Sequence, residues 1–153
     1  MTSSTELRVT ASLRPEQTAR LMAETGLDEA ILATLVHRFY ERVRADPVLA
    51  PIFAARITDW RPHLERMVAF WSSVALMTGR YHGAPVPAHT TLPVNWGHFE
   101  RWLTLFRATA HEVCAPSGAV HVIERAERIA ESLHMAVKDA ARRGTDTAPD
   151  LSH

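Results

Sequence analysis

Apolar side chains recur at intervals of three and four residues along most of this chain, which is the spacing of one face of an α-helix. Four long segments show this pattern, and proline, glycine or helix-capping residues stand at their ends. No segment shows the strict alternation of apolar and polar residues that is typical of a half-exposed β-strand. The sequence therefore predicts an all-α protein with four long helices and short pieces between them.

The first two helices have recognisable boundaries. Pro15 is typical of a helix start and Gly26 of a helix end, so a first helix is predicted between them. The second helix is predicted to run from Asp28 to about Arg44. The segment DPVLAPIF (46–53) follows, and its two prolines are expected to break the helix twice.

The later helices are bounded in a similar way. Asp59 is predicted to cap a helix that ends near Gly79, because an aspartate side chain accepts hydrogen bonds from the first backbone N–H groups. Asn95 is predicted to cap the next helix for the same reason. Ser117 or Gly118 is predicted to open the last helix.

A chain of 153 residues is typical of a single domain. The helical periodicity extends over residues 15–142, which are predicted to form that domain. Residues 1–14 and 143–153 are polar and lack periodicity, so they are predicted to be a flexible N-terminal segment and a flexible C-terminal tail.

Charge and cysteine content exclude several classes of function. Lys and Arg together number 17, as do Asp and Glu, and no basic stripe stands out, so nucleic acid is not expected as a partner. Cys114 is the only cysteine, which excludes an intrachain disulfide and a cysteine-based metal cage. The sequence has neither the apolar core of a signal peptide nor an apolar run of transmembrane length, so a cytoplasmic protein without a membrane span is expected.

The nine histidines are the unusual feature of the composition, and His63 is one of two that differ from the rest. It precedes Met67 by four residues and Trp71 by eight, which puts its ring on the apolar stripe of its own helix. A polar ring in that position either finds a partner in the core or faces a cavity. The sequence leaves open whether His63 points into a pocket.

The other exceptional histidine, His89, belongs to the stretch VPAHTTLPVNWGHF (86–99) and stands among prolines at 85, 87 and 93. Those prolines disfavour a regular helix there, so the imidazole is either incidental or aimed at a ligand by a stiffened loop. No HExxH, CxxC, GxSxG or glycine-rich phosphate loop accompanies either histidine. The remaining histidines are predicted to be exposed or bonded to a polar partner: His37, His82, His98, His111, His121, His134 and His153.

Most aromatic residues lie on the segments that flank these two histidines. Helical spacing alone would assign them to the core, and it explains Trp71 and Phe106 well. Tyr40 and Trp102 are explained less well, because each carries a polar group that needs a partner when buried. A helical pocket with aromatic walls, two imidazoles and a tyrosine hydroxyl suits a flat apolar cofactor whose metal accepts an axial nitrogen, such as haem.

The ordered set of motifs LVHRFYERVRADPVLAPIF, WRPHLERMVAFW, PAHTTLP and HFERWLTLF resembles the truncated haemoglobins, specifically their third group. The resemblance covers residues 18–142. The chain also lacks the paired-glycine motifs of the other truncated groups, as the third group does. The resemblance implies a truncated globin fold, a two-over-two helical sandwich around haem b.

The resemblance also implies roles for individual residues. His89 is expected to be the axial ligand of the haem iron, and Tyr40 to hydrogen-bond the bound ligand. His63 and Trp102 fall at the distal histidine and distal tryptophan positions, and Phe53 at the phenylalanine that packs on the haem. Met67 is expected to lie over the distal face of the haem, and further expected haem contacts are Phe99, Ile129 and Leu133.

The leading functional hypothesis is a haem protein that binds O₂, CO and NO. NO-detoxifying or peroxidase-like chemistry is a suggested role of the family, and it would need a separate reductase or other electron donor, so whether the protein is an enzyme is left open. The alternative is a haem-free helical sensor or protein-interaction domain whose aromatics are simply core. Either a monomer or a homodimer is compatible with the sequence.

Overall fold

The computed structural model describes residues 12–81 and 93–151, with side chains described as far as Arg143. Within those ranges the chain forms six helices and no β-strand, which confirms the all-α prediction for the described residues. The helices are α1 (Pro15–Thr25), α2 (Glu29–Ala45), α3 (Ala50–Ala54), α4 (Trp60–Leu76), α5 (Trp96–Val113) and α6 (Pro116–Leu151).

Capping residues stand at the ends of these helices, and Asp28, which was predicted to begin its helix, is the residue that caps it. The Asp28 carboxylate accepts a hydrogen bond of 2.8 Å from the Ile31 backbone N–H at the start of α2. Asp59 caps α4 and Asn95 caps α5, each with its side-chain oxygen. Gly26 ends α1 in the left-handed region at φ 72°, which a residue without a Cβ adopts at little cost.

Two boundaries differ from the sequence-based prediction. The segment 46–53 is not only a break, because the short helix α3 forms there with Pro51 in its first turn, where a missing N–H costs nothing. The last helix begins at Pro116 rather than at Ser117 or Gly118 for the same reason.

Hydrogen-bonded structure continues beyond residues 15–142 at both ends of the described chain. The Ser12 hydroxyl lies 2.7 Å from the Thr18 hydroxyl, and the Leu13 N–H donates to the Thr78 carbonyl at 3.0 Å. These bonds attach residues 12–14 to the helical body, although they were predicted to belong to a flexible segment. Helix α6 continues past residue 142 to Leu151, and the rest of the two predicted flexible segments lies outside the described residues.

The helices pack as two pairs. Helix α2 packs against α4, and α5 packs against α6. The pairs meet where α2 contacts α5 and where α4 contacts α6, while α1 lies against α4 and α6. This is the two-over-two sandwich expected from the sequence. Among the described residues, no helix is both long enough and apolar enough to span a membrane.

Small side chains allow α5 and α6 to approach closely. Ala110 on α5 and Ala119 and Ala126 on α6 are completely buried, and Ala130 is almost so. Larger side chains fill the space between the pairs, and Leu32, Leu35 and Phe106 are buried among them. The periodic stripes seen in the sequence are therefore the faces that meet in the core.

Ionic contacts join α2 and its C-terminal end to α5. The Arg42 guanidinium donates to the Thr109 hydroxyl at 2.8 Å and to the Glu112 carboxylate at 2.7 Å. The Arg101 Nε donates to the Asp46 carboxylate at 2.7 Å, and this bond holds the pKa of that carboxyl below its usual value. Since Asp46 also accepts from the backbone N–H of Leu49, it fixes the turn between α2 and α3.

We expect Gly118→Ala to destabilise the fold, although glycine to alanine within a helix usually stabilises it by about 1 kcal/mol. A Cβ at Gly118 would lie 2.8 Å from the Thr25 carbonyl oxygen and 3.0 Å from Leu27 Cδ2, so α6 and the end of α1 would have to separate. Overpacking of this kind costs about 1–3 kcal/mol. Equilibrium denaturation measures the change in the free energy of unfolding. Val120→Ala at a site that is 54% exposed is the control and should change it by less than about 0.5 kcal/mol.

Candidate functional site

A cavity of about 240 Å³ lies between the two helix pairs and is closed on one side by α3. Its walls come from α2, α3, α4, α5 and α6, and most of the lining side chains are apolar or aromatic. Eight of the nine residues predicted to contact the cofactor line this single cavity: Tyr40, Phe53, His63, Met67, Phe99, Trp102, Ile129 and Leu133. His89, the ninth, lies outside the described residues.

Tyr40 contributes a phenol side chain to a cavity wall made mainly of apolar and aromatic side chains. The residue is only 6% exposed, and its ring packs edge-on against Phe39 at 5.0 Å and Phe53 at 5.9 Å between centroids. Burial raises the pKa of the Tyr40 hydroxyl above its ordinary value. The group therefore stays protonated at neutral pH and can donate a hydrogen bond.

His63 lines the same wall from α4. Its ring stands perpendicular to the Tyr40 ring, with 5.2 Å between centroids and an interplanar angle of 83°. The inward stripe of α4 thus points the imidazole into the cavity, which the sequence had left open. Tyr40 lies on α2 and His63 on α4, so their rings are in contact only because these two helices pack against each other.

Trp102 faces these two residues from α5. Its indole stacks on Phe106 at 5.6 Å with an interplanar angle of 14°, and Phe39 packs edge-on against it at 5.3 Å. Phe106 in turn stacks on Trp71 at 4.9 Å. This layer of rings fixes the plane of the Trp102 indole, whose N–H is a donor only.

Much of the cavity lining is apolar. Ile129 and Leu133 occupy successive turns of α6, and Ala130 between them is small enough to leave space. Phe99 from α5 and Met67 from α4 complete this part of the lining. Four of these five residues were expected to contact the cofactor, and all five line the cavity.

The structure adds lining residues that the sequence did not single out. Arg66, Tyr81, Val94 and His98 border the cavity, together with Leu49, Ile52 and Phe70. His98 was expected to have a polar partner, and its Nδ1 does accept the Asn95 backbone N–H at 3.0 Å, but its ring also borders the cavity. Arg66 is exposed, and Tyr81, Val94 and His98 lie in or next to the segments between helices, where periodicity carries little signal.

Of two further histidines, His121 has the polar partner expected of it, whereas His134 packs against aromatic rings. The His121 Nε2 lies 2.8 Å from the Ala75 carbonyl oxygen, and burial is the main cause that lowers the pKa of the imidazole. His134 packs its ring against Trp96 at 5.1 Å and Phe99 at 5.7 Å. Neither lines the cavity.

Comparison with known proteins finds the same family by sequence and by structure. A family model described as "Bacterial-like globin" matches residues 21–135. The chain is 33% identical over 109 residues to the group 3 truncated hemoglobin ctb of Campylobacter jejuni, and the match covers 68% of this chain and 86% of that protein. It also superposes on a crystal structure of a group III truncated hemoglobin from Campylobacter jejuni with a TM-score of 0.69 and 32% identity, over 72% of this chain and 91% of that one.

We expect Tyr40 to titrate well above the ordinary tyrosine value of 10.0, because ionisation would place a charge in an apolar wall. The chain has two tyrosines, so Tyr81→Phe leaves Tyr40 as the sole absorbing phenol. Ultraviolet absorbance of tyrosinate in this variant should rise only at strongly alkaline pH. The pKa of the Tyr40 hydroxyl is higher in the folded protein than in the unfolded chain. Its contribution to stability is therefore fully present below pH 10.0 and is lost as the pH rises above that value.

Tyr40→Phe, which retains only Tyr81, is the comparison for that titration. A Tyr81→Phe protein whose absorbance rises near pH 10.0 while the protein stays folded would show that the Tyr40 hydroxyl is open to solvent.

Proposed function

This chain belongs to the bacterial-like globins and, within them, to the group III truncated haemoglobins, and from that premise we propose how its cavity binds haem b and a diatomic ligand. Haem-based binding of gases is the general property of the globin family. The specific proposal concerns which residues of this chain hold the haem and which contact the ligand. It rests on one observation, the convergence of Tyr40, His63 and Trp102 on a single apolar cavity.

The cavity suits a flat apolar cofactor. Its walls are formed by aromatic and aliphatic side chains, and apolar surface of this kind binds a porphyrin face by the hydrophobic effect. When bound, haem supplies an iron atom that binds O₂, CO or NO. Phe53, Met67 and Phe99 would pack against the ring system, with Ile129 and Leu133 on the side of α6.

The rim of the cavity carries groups that fit the two carboxylates of haem b. Arg66 is exposed and borders the cavity, so its guanidinium can pair with a carboxylate without being withdrawn from water. His98 borders the same rim. A polar rim around an apolar interior matches a cofactor with a hydrophobic ring and charged edge groups.

We assign His89 as the residue that would bind the haem iron. Tyr81 and Val94 both line the cavity, and His89 belongs to the segment that connects these two residues along the chain. The prolines of that segment restrict its backbone and disfavour regular helix. Because both ends of the segment are anchored at the cavity wall, a histidine within it is close enough along the chain to reach the haem iron.

Three donors are proposed for the opposite, distal side. The Tyr40 hydroxyl stays protonated because it is buried, and the Trp102 indole N–H cannot accept, so both are suited to donate to a ligand with partial negative charge. His63 is the third donor or the gate. A hydrogen bond of this type contributes about 1–3 kcal/mol, roughly a 5- to 150-fold reduction in the ligand off-rate.

Slow ligand release suits retention of O₂ or chemistry on it better than delivery. NO-detoxifying or peroxidase-like turnover would draw its electrons from a separate reductase. We place this activity in the cytoplasm and expect a monomer or a homodimer, on the grounds of sequence alone. The domain that carries it corresponds to residues 15–142, and the haem-free alternative is not favoured by the family to which the chain belongs.

His89→Ala should abolish stable haem incorporation, because the iron would lose its axial nitrogen. His89→Gly should regain haem when imidazole is added, since the free ligand can replace the missing side chain. Haem content per protein and the absorption spectrum measure both effects. His82→Ala is the matched control, because it removes a histidine from the same segment without touching the proposed ligand. A His89→Ala protein with normal haem content and an unchanged ferrous spectrum would contradict the assignment.

Tyr40→Phe and Trp102→Phe should each speed O₂ dissociation by roughly 5- to 150-fold, since each removes one donor and keeps an aromatic ring in place. Stopped-flow mixing measures the rate. Trp96→Phe is the control for the tryptophan change, because Trp96 does not line the cavity. Fast dissociation from the unmodified protein, unchanged in both variants, would show that the pocket does not hold its ligand through these groups.

A further inference from the structure

Trp60 contacts three residues that line the cavity, among them the proposed distal residues Tyr40 and His63, although it does not itself line the cavity. Its ring centroid lies 5.8 Å from that of Tyr40, 5.4 Å from His63 and 6.4 Å from Phe53. The His63 ring stands edge-on to it at an interplanar angle of 89°. Trp60 therefore lies directly behind the side chains that would contact the ligand.

The guanidinium of Arg44 lies over the Trp60 ring, with its Cζ 4.6 Å from the ring centroid. Arg44 is exposed and Trp60 is partly buried, so the contact is at the protein surface. A guanidinium stacked on an indole is held by the attraction between the cation and the ring face. Arg44, which lies on α2, therefore holds the Trp60 ring in place.

The helical register explains why these side chains meet. Tyr40 and Arg44 are four residues apart on α2 and share one face, and Trp60 and His63 are three residues apart on the first turns of α4. Side chains in a helix lean toward the preceding turn, so the His63 ring lies over the turn that begins with Trp60. The Trp60 ring therefore packs directly against the His63 ring, and this contact restricts the rotation of the imidazole.

We propose that Trp60, held in place by Arg44, is a positioning residue that keeps the His63 ring turned into the cavity and so limits the rate at which ligands reach the haem. The inference rests on the proposed function, because His63 acts as a gate only where haem is bound. Tyr40 also contacts the His63 ring at 5.2 Å, so the imidazole packs against one ring that lines the cavity and one that does not.

The experiment uses the haem-loaded full chain and follows CO. Trp60→Ala and Trp60→Phe test the tryptophan, and Arg44→Ala removes the cation while it leaves the indole in place. Rebinding of CO after flash photolysis measures access to the haem, and the CO stretching frequency reports the polar groups that face the ligand. Arg61→Ala is the matched control, because Arg61 is the next residue after Trp60, is exposed and pairs with Glu65 instead.

We expect Trp60→Ala to speed CO association by about 2- to 12-fold, the range that corresponds to the loss of one aromatic pair. Arg44→Ala should give a smaller increase, about 2- to 5-fold, as expected for an exposed cation–π contact. The CO stretching frequency should shift in Trp60→Ala toward that of His63→Leu. In a His63→Leu background, Trp60→Phe and Arg44→Ala should have no further effect on either measurement.

Unchanged CO rates and frequencies in Trp60→Phe and Arg44→Ala would overturn the proposal, as would equal effects of these changes with and without His63. Circular dichroism and haem content decide whether a variant has folded and loaded, and Arg44→Ala serves where Trp60→Ala fails to do so. Absence of haem from the unmodified protein would refute the proposed function itself. Normal haem with an unaltered CO response in the variants would refute only the role of Trp60.

Discussion

The contacts of Phe39 hold the two donor-bearing sides of the cavity in fixed relation. Its ring is 2% exposed and packs edge-on against Tyr40 on the same helix and against Trp102 and Phe106 on α5. Because Tyr40 and Trp102 lie on helices far apart in the sequence, only packing across α2 and α5 can set the distance between their polar groups. The proposed hydrogen bonds from Tyr40 and Trp102 to a bound ligand therefore depend on how α2 packs against α5.

Ion pairs beside the contact between α2 and α5 also hold these two helices in a fixed relation. The Arg42 contacts with Thr109 and Glu112 and the contact between Arg101 and Asp46 lie on either side of the aromatic layer along α5. Exposed pairs contribute little to stability, but Asp46 is buried, and its bonds to Arg101 and to the following backbone fix the start of the α3 segment that carries Phe53. These pairs therefore fix the positions of the helices and add little to the stability of the fold.

A cavity with a buried hydroxyl costs stability that a filled apolar core would retain. The Tyr40 hydroxyl stays neutral in its wall, and the rings around it leave space instead of collapsing. Natural sequences keep such features where a ligand compensates for them. The globin fold alone does not establish an activity, so the functional conclusion depends on these particular side chains and on the family to which the chain belongs.

The sequence by itself determined the helices, most of their caps and the inward stripes, because 3.6-residue periodicity and capping chemistry are local properties. It placed Tyr40, His63 and Trp102 on inward faces for the same reason. Only the tertiary structure decided which faces meet: that Trp60 packs on Tyr40 beneath Arg44, and that His98 borders the cavity. Those contacts depend on how helices cross and where loops return, and neither is encoded in the spacing of residues along one helix.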